Sequence, residues 1–229
     1  MSDEADEIEL VDGPASMEAP AIVRPSMRGS FHRAAIPVAV VLTALLTLRT
    51  SSGGALATVI VYGVCVTAML ATSGIYHSPR LAHLPRRLLR RLDHSMILVG
   101  IAGTYTAVIV LALDGATRVV LLVLAWTLAV IGVGVRMLWM DAPSGLVALV
   151  YLLAGWQLMV DLPAYVRGMS GAELALLAVG GVLYTVGAIV YALKRPNPWP
   201  RVFGYHEVFH SLVIAAAFTH WVAVYLLAG

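Results

Sequence analysis

Seven long apolar stretches, separated by short polar gaps, run through the chain from residue 34 almost to its C-terminus. Each is close to the roughly 20 residues that an α-helix needs to cross the hydrocarbon core of a bilayer. The pattern therefore predicts an all-α polytopic membrane protein, folded as a bundle of seven transmembrane helices. The predicted spans are 34–51, 55–77, 94–113, 117–138, 144–161, 172–193 and 206–227.

Charged residues are too few to cover the surface of a soluble protein of this length. They make up 12% of the 229 residues, about half the level of an ordinary soluble domain. The basic residues lie between hydrophobic runs, so the net charge of +2 does not indicate binding to nucleic acid. Cys65 is the single cysteine, which excludes an intrachain disulfide, and we expect no disulfide-linked partner.

The distribution of charge divides the chain into two parts. Residues 1–33 contain most of the acidic residues and are predicted to form a disordered tail, whereas residues 34–229 form the transmembrane domain. The tail lacks the basic segment and short apolar core of a cleaved signal peptide.

The basic residues also predict how the bundle is oriented. With a cytoplasmic N-terminus, only Arg49, Arg118 and Arg167 of the 15 Lys and Arg residues fall on the outer side. Cytoplasmic loops are enriched in Lys and Arg. We therefore expect a cytoplasmic N-terminus and a C-terminus on the outside.

Four ionisable residues fall where three spans meet the predicted cytoplasmic side: His77, Asp93, His206 and His210. Ionisable groups at membrane depth are costly, so several at one level indicate a site. Two histidines one turn apart can grip a zinc ion (Zn²⁺) from one helix, and His77 would complete three ligands with a fourth position open. Asp93 would then orient a water molecule or act as its general base. Ser73, one turn before His77, would hydrogen-bond to that water or to an imidazole.

The other histidines are assigned simpler roles. His94 is expected to be interfacial or to support a ligand, and His220 lies roughly 15 Å deeper than His210, too far to share an ion. We expect His32 and His83 to face solvent or lipid headgroups.

A competing motif is present in the last span. His206-Glu207-Val208-Phe209-His210 matches the H-E-x-x-H pattern of zinc metalloproteases, in which the glutamate is the base. Asp114, followed by a glycine, resembles the third ligand of intramembrane metalloproteases. The predicted topology places Asp114 about 30 Å from His206 across the hydrocarbon core, which argues against this arrangement.

Three motifs together resemble the bacterial hemolysin III proteins, which belong with the progestin and adipoQ receptors and, more distantly, with alkaline ceramidases. They are Ser73-Gly-Ile-Tyr-His77, Leu92-Asp93-His94-Ser95 with the following Ile101–Thr106, and Phe203-Gly-Tyr-His206-Glu-Val-Phe-His210. The resemblance extends from about residue 34 to the C-terminus. It implies a seven-helix bundle with zinc near the cytoplasmic face, held by His77, His206 and His210, with Asp93 and Ser73 beside a water molecule.

These features predict a multi-pass zinc protein of a bacterial plasma membrane that hydrolyses a lipid amide or ester at its cytoplasmic side. Its partners would be membrane lipids, and the acyl chain would enter laterally between helices. One alternative is a non-enzymatic sensor or receptor-like protein with structural zinc. Another is a pore-forming cytolysin, as the hemolysin name implies, although no span shows the continuous polar stripe that a water-filled pore needs.

Overall fold

The computed structural model of the protein describes residues 25–51, 53–78, 84–139 and 141–229. Eight α-helices lie within these ranges. They are α1 (Ser30–Arg49), α2 (Gly53–Tyr76), α3 (Arg86–Ala112), α4 (Gly115–Leu138), α5 (Ser144–Gly155), α6 (Leu162–Gly168), α7 (Gly171–Leu193) and α8 (Tyr205–Leu227).

Most of the helices match the predicted spans. Among the described residues, six helices are long and apolar enough to cross a membrane, and the bent pair formed by α5 and α6 makes a seventh span if it is taken as one. The prediction of an all-α polytopic membrane protein is therefore confirmed.

The fifth span is not the single helix predicted for residues 144–161. Helix α5 ends at Gly155, a 3₁₀ turn follows over Gln157–Asp161, and the two halves are bent by 42°. The hydroxyl of Tyr105 lies at the break, where it donates to the carbonyl oxygen of Gly155 at 2.6 Å and accepts from the backbone N–H of Leu158 at 3.0 Å. These bonds satisfy backbone groups that the break removes from the helical ladder, which stabilises it inside an apolar bundle.

The local sequence explains why a new helix starts after the break. The side chain of Asp161 accepts a hydrogen bond from the backbone N–H of Ala164 at 3.1 Å and so caps α6. Pro163 occupies the first turn, where its missing N–H costs no helical hydrogen bond. An aspartate cap with a proline in the following turn indicates a helix start. The sequence analysis did not recognise this start, because the stretch is hydrophobic throughout.

Two helices begin earlier than their apolar runs. Helix α1 begins at Ser30 rather than at residue 34, and α3 begins at Arg86 rather than at residue 94. Asp93 and His94, predicted to open the third helix, therefore lie about two turns inside it. Long arginine side chains can extend from a helix towards water, so a helix need not end where its apolar core does.

The segment before α1 packs onto the bundle. The backbone N–H groups of Ser26 and Met27 donate to the carbonyl oxygens of Arg201 and Val202 at 3.0 and 3.3 Å. Residues 25–29, which the sequence analysis assigned to the tail, are thus held against the loop before α8. Residues 1–24 lie outside the described residues, so the predicted disorder of the acidic tail stays a prediction.

Close helix packing brings the candidate residues to one end of the bundle. A Cβ atom at Gly103 would overlap the Cβ of Cys65, so glycine lets α3 approach α2 closely. Helix α8 packs on α7 and also contacts α1 and α3. The end of α2 and the starts of α3 and α8 therefore lie together, at what is here called the basic end because Arg86, Arg87, Arg90 and Arg91 also lie there.

Candidate metal centre

Three buried imidazoles converge at the basic end. His77 directly follows α2, His206 lies in the first turn of α8, and His210 lies one turn later. Taking one ring nitrogen from each, the three candidate ligand atoms all lie within 4.8 Å of one another. The structure thus brings together the three histidines that the sequence analysis named as ligands.

Their spacing fits a single divalent ion. The Nε2 atoms of His77 and His206 are 3.1 Å apart. In a tetrahedral zinc site, with Zn–N distances of about 2.0–2.1 Å, two ligand nitrogens lie roughly 3.3–3.4 Å apart. Small adjustments of the rings would therefore suffice for both nitrogens to contact one ion, and neutral imidazole suits zinc and other late first-row metals.

Asp93 and Ser73 lie beside the histidines. A carboxylate oxygen of Asp93 is 3.7 Å from His77 Nε2, and its side chain is 12% exposed. The hydroxyl of Ser73 interacts electrostatically with this carboxylate. It is buried inside the bundle. A carboxylate and a hydroxyl thus face the region next to the three imidazoles.

His32 is a functional candidate that the sequence analysis missed. It was expected to face solvent or headgroups, but it is 3% exposed and its Nε2 lies 2.9 Å from Nδ1 of His210. The reason is the early start of α1, which places His32 in the first helical turn, within the bundle. Gly29 and Ser30 could have indicated this start, because both residue types are favoured at the N-terminal caps of helices.

The two ring nitrogens of His210 lie in different surroundings, because Nδ1 faces His32. Nε2 of His210 is buried and has no hydrogen-bond partner within the described part of the chain. If Nδ1 carries the proton and donates it to His32, Nε2 keeps its lone pair for a metal ion. Metal-ligating histidines are commonly oriented in this way by an acceptor on the other ring nitrogen.

Glu207 has a structural role, although it completes the H-E-x-x-H pattern. Its side chain is 1% exposed. One carboxylate oxygen accepts from Arg28 Nε at 2.7 Å and the other accepts from the backbone N–H of Gly204 at 2.9 Å. Glu207 therefore caps α8 and anchors the segment before α1, and both oxygens are engaged.

Asp114 takes no part in the centre. Its side chain is 95% exposed and pairs with Arg118 at 2.6 Å. It follows the C-terminal end of α3, whereas Asp93 lies near the N-terminal end of that helix, so the two aspartates are about 30 Å apart by helical rise. The metalloprotease arrangement is therefore not formed.

The segment before α1 covers His77. Gly29 adopts a left-handed backbone conformation with φ of 75°, and a Cβ atom there would lie 2.5 Å from Cβ of His77. Only glycine combines this conformation with such a close approach. Together with the Arg28–Glu207 ion pair, this contact places residues 25–29 over the histidines.

The remaining histidines face other elements. His94 contacts the buried guanidinium of Arg136 on α4, and its carbonyl oxygen accepts from the hydroxyl of Tyr151 on α5 at 2.9 Å. His220 Nε2 lies 3.2 Å from the carbonyl oxygen of Leu177 on α7. His83 lies outside the described residues.

Comparison with known proteins agrees with the motifs. The family described as "Haemolysin-III related" matches residues 21–221. The hemolysin-3 homolog of Bacillus subtilis (strain 168) is 32% identical over 158 residues, which cover 69% of this chain and 70% of that protein. Hemolysin-3 of Bacillus cereus is 30% identical over 178 residues, or 76% and 77% of the two chains. The adiponectin receptor protein of Drosophila melanogaster is 48% identical over a shorter stretch of 58 residues, covering 23% of this chain and 13% of that protein.

Proposed function

The chain belongs to the haemolysin-III related family, and we propose that it is a membrane-embedded, zinc-dependent hydrolase of lipid amide or ester bonds. One observation supports this above all. Three buried imidazoles cluster within 4.8 Å, and a carboxylate lies 3.7 Å from one of them. Three protein ligands with an open fourth position are typical of catalytic zinc, whereas structural zinc sites are closed by four.

We further propose that the basic end faces the cytoplasm of a bacterial cell and that the protein lies in the plasma membrane. The charge bias supports this orientation, because all but three of the 15 Lys and Arg residues would lie on the inner side. The bacterial relatives support the location.

Each residue of the candidate centre has its own role in the proposed hydrolysis. His77, His206 and His210 would hold the ion, which would supply Lewis-acid chemistry and lower the pKa of a nearby water molecule. Asp93 takes a proton from the attacking water at a carboxylate oxygen and returns it to the leaving nitrogen or oxygen as the bond to the carbonyl carbon breaks. Ser73 holds this carboxylate or donates to the substrate carbonyl.

The surroundings of the centre favour a lipid as the substrate. The helices that deliver its residues expose large apolar side chains on their outer faces, such as Val38 and Phe218, which suit contact with acyl chains. Residues 25–29 cover the histidines at the basic end. A substrate that already lies in the bilayer can reach the centre between helices.

The experiment compares two aspartate variants in purified protein. Asp93→Asn should retain zinc but lose about 10²- to 10⁴-fold in the rate of fatty-acid release, the usual contribution of a general base. Asp114→Asn is the matched control, because Asp114 is an exposed carboxylate at the far end of α3. The substrates are ceramides, N-acyl amino acids, diacylglycerol and phospholipids in mixed micelles.

Two results would overturn the proposal. One is zinc-loaded wild-type protein that releases no fatty acid from any of these lipids. The other is an Asp93→Asn variant as fast as wild type. A protein that needs zinc to fold but tolerates Asp93→Asn would instead be a sensor with structural zinc.

A further inference from the structure

Three polar side chains near the basic end have buried donor atoms without a hydrogen-bond partner among the described residues. They are Arg91 and Ser95 on α3 and Arg136 on α4, here called the donor cluster. The atoms are Nε of Arg91, Oγ of Ser95, and both Nε and Nη1 of Arg136. Burying such groups unpaired is costly, and more so when they carry a charge. A ligand that accepts hydrogen bonds is therefore favoured at this place.

The packing of α3 against α4 brings the donor cluster to one helix interface. A Cβ atom at Gly132 on α4 would overlap the side chain of Leu98 on α3, so these two positions face each other. Helix α3 begins at the basic end and α4 ends there. Arg136 follows Gly132 by four residues, and Ser95 and Arg91 precede Leu98 by three and seven, which is the spacing of a single helix face. All three side chains thus lie on the facing sides of the two helices, towards the basic end.

The donor cluster carries two positive charges, and no carboxylate of the described residues pairs with either of them. Asp93 is close in sequence, but its carboxylate lies 3.7 Å from His77 Nε2. By helical geometry it is on roughly the opposite side of α3 from the cluster. Nη2 of Arg136 donates to Nδ1 of His94, a ring nitrogen that supplies no negative charge. Charges inside a membrane bundle are ordinarily paired, so the two cations favour an anion.

We propose that the donor cluster binds one phosphate group, with Arg136 as its principal ligand. A phosphate presents more acceptor oxygens than a carboxylate and so suits the four unpaired donor atoms better. The guanidinium fork also matches the geometry of phosphate oxygens. Basic pockets between transmembrane helices on the cytoplasmic side bind lipid headgroups in other membrane proteins. The phosphate belongs either to an anionic lipid or to inorganic phosphate from solution, and this site does not depend on the proposed hydrolase function.

The donor cluster can be reached from the side of Arg91. This residue is partly exposed, whereas Ser95 and Arg136 are 3% and 4% exposed. Arg91 lies in the second turn of α3, close to the level expected for the lipid headgroups. Movement of its long side chain would admit a phosphate group to Arg136, whose guanidinium is held by His94.

Binding measurements on the full-length protein in a neutral detergent test the site. Native mass spectrometry counts bound dioleoylphosphatidylglycerol and, in a separate titration, dioleoylglycerol, which has the same acyl chains but no phosphate. Calorimetry measures the binding of inorganic phosphate. We expect saturable binding of one phosphatidylglycerol or one phosphate ion per chain, and weaker binding of dioleoylglycerol.

Three variants separate the donor cluster from the general positive charge of the basic end. Ser95→Ala removes one donor without changing the charge and should weaken binding about tenfold, the effect of one hydrogen bond to a charged group. Arg136→Gln should weaken it by about 100-fold or more, because a buried charge partner is lost. Arg201→Gln is the matched control, because Arg201 is exposed in the loop before α8 and its loss changes the net charge equally. Circular dichroism shows that each variant is folded.

The pattern of losses identifies the source of the phosphate. Losses in Ser95→Ala and Arg136→Gln that appear with phosphatidylglycerol support a lipid headgroup, and losses that appear only with inorganic phosphate support phosphate from solution. Equal binding of both probes to wild type, Ser95→Ala and Arg136→Gln would overturn the proposal. Dioleoylglycerol bound as tightly as phosphatidylglycerol would also overturn it, because the acyl chains would then account for binding. So would an equal loss in Arg201→Gln, which would indicate non-specific attraction to the basic end.

Discussion

The two ring nitrogens of His210 have different neighbours. Nδ1 faces His32 on α1, and Nε2 is buried without a hydrogen-bond partner in the described ranges. An imidazole can donate from only one nitrogen when it is neutral. In the tautomer that donates from Nδ1 to His32, Nε2 is free to bind a metal ion, and we predict that His32 acts as a positioning residue.

Removal of His32 should weaken metal binding. We expect His32→Ala to lower zinc affinity by about 10- to 100-fold, as loss of a partner behind a ligating histidine commonly does. His32→Gln should restore part of this affinity, because its amide oxygen can accept the same hydrogen bond. The measurement is a competition titration with a chromogenic zinc chelator.

His220→Ala is the control for this titration. His220 is also a partly buried histidine with a backbone contact, but it lies on α8 roughly 15 Å from His210. Its loss should leave zinc affinity unchanged. Equal affinities of His32→Ala and wild type would show that His32 only fills space.

At the level of elements, the start of α8 holds the segment before α1. Glu207 accepts from Gly204 within its own helix start and from Arg28 across the chain. One side chain therefore fixes the orientation of the first turn of α8, on which His206 lies one turn before His210, and attaches residues 25–29 over His77. In the five-residue pattern that suggests a protease, Glu207 therefore has a structural role beside the candidate metal centre.

Arg28→Gln should destabilise the fold, because Glu207 would keep a buried negative charge without its cation. Leaving a buried acceptor unpaired costs about 1–3 kcal/mol, and more for a charged group. We expect a lower midpoint of thermal unfolding in detergent, with part of the loss recovered in the Arg28→Gln/Glu207→Gln double variant.

Arg33→Gln is the matched control, since Arg33 is exposed and donates to Ser30 on its own helix. It should unfold close to the wild-type temperature. If Arg28→Gln were as stable as Arg33→Gln, the ion pair would not hold the segment in place.

For the whole molecule, the hydrophobicity of the sequence predicts the membrane spans and little else about the structure. Seven apolar runs gave the class of fold and the end of the bundle at which His77, His206 and His210 meet. Hydrophobicity could not show the break after Gly155, because the broken backbone is stabilised by Tyr105, which is distant in sequence. Nor could it show that His32 is buried, because a polar side chain can be buried when another polar group, here His210, pairs with it.

The orientation of the whole bundle can be tested with introduced cysteines, because Cys65 is the single native cysteine and is buried. Ala116→Cys and Pro198→Cys place exposed thiols at opposite ends of the bundle. A maleimide that cannot cross membranes should label Ala116→Cys in intact cells, and Pro198→Cys only after permeabilisation. The reverse pattern would place the basic end outside and contradict the proposed topology.

Zinc content is the most direct test of the account. Elemental analysis of purified wild-type protein should find one zinc ion per chain, and His220→Ala should retain it. The His206→Ala/His210→Ala double variant should hold none while remaining helical by circular dichroism. Wild-type protein without bound metal after zinc-replete expression, or a double variant that binds zinc as wild type does, would show that the three imidazoles do not form a metal centre.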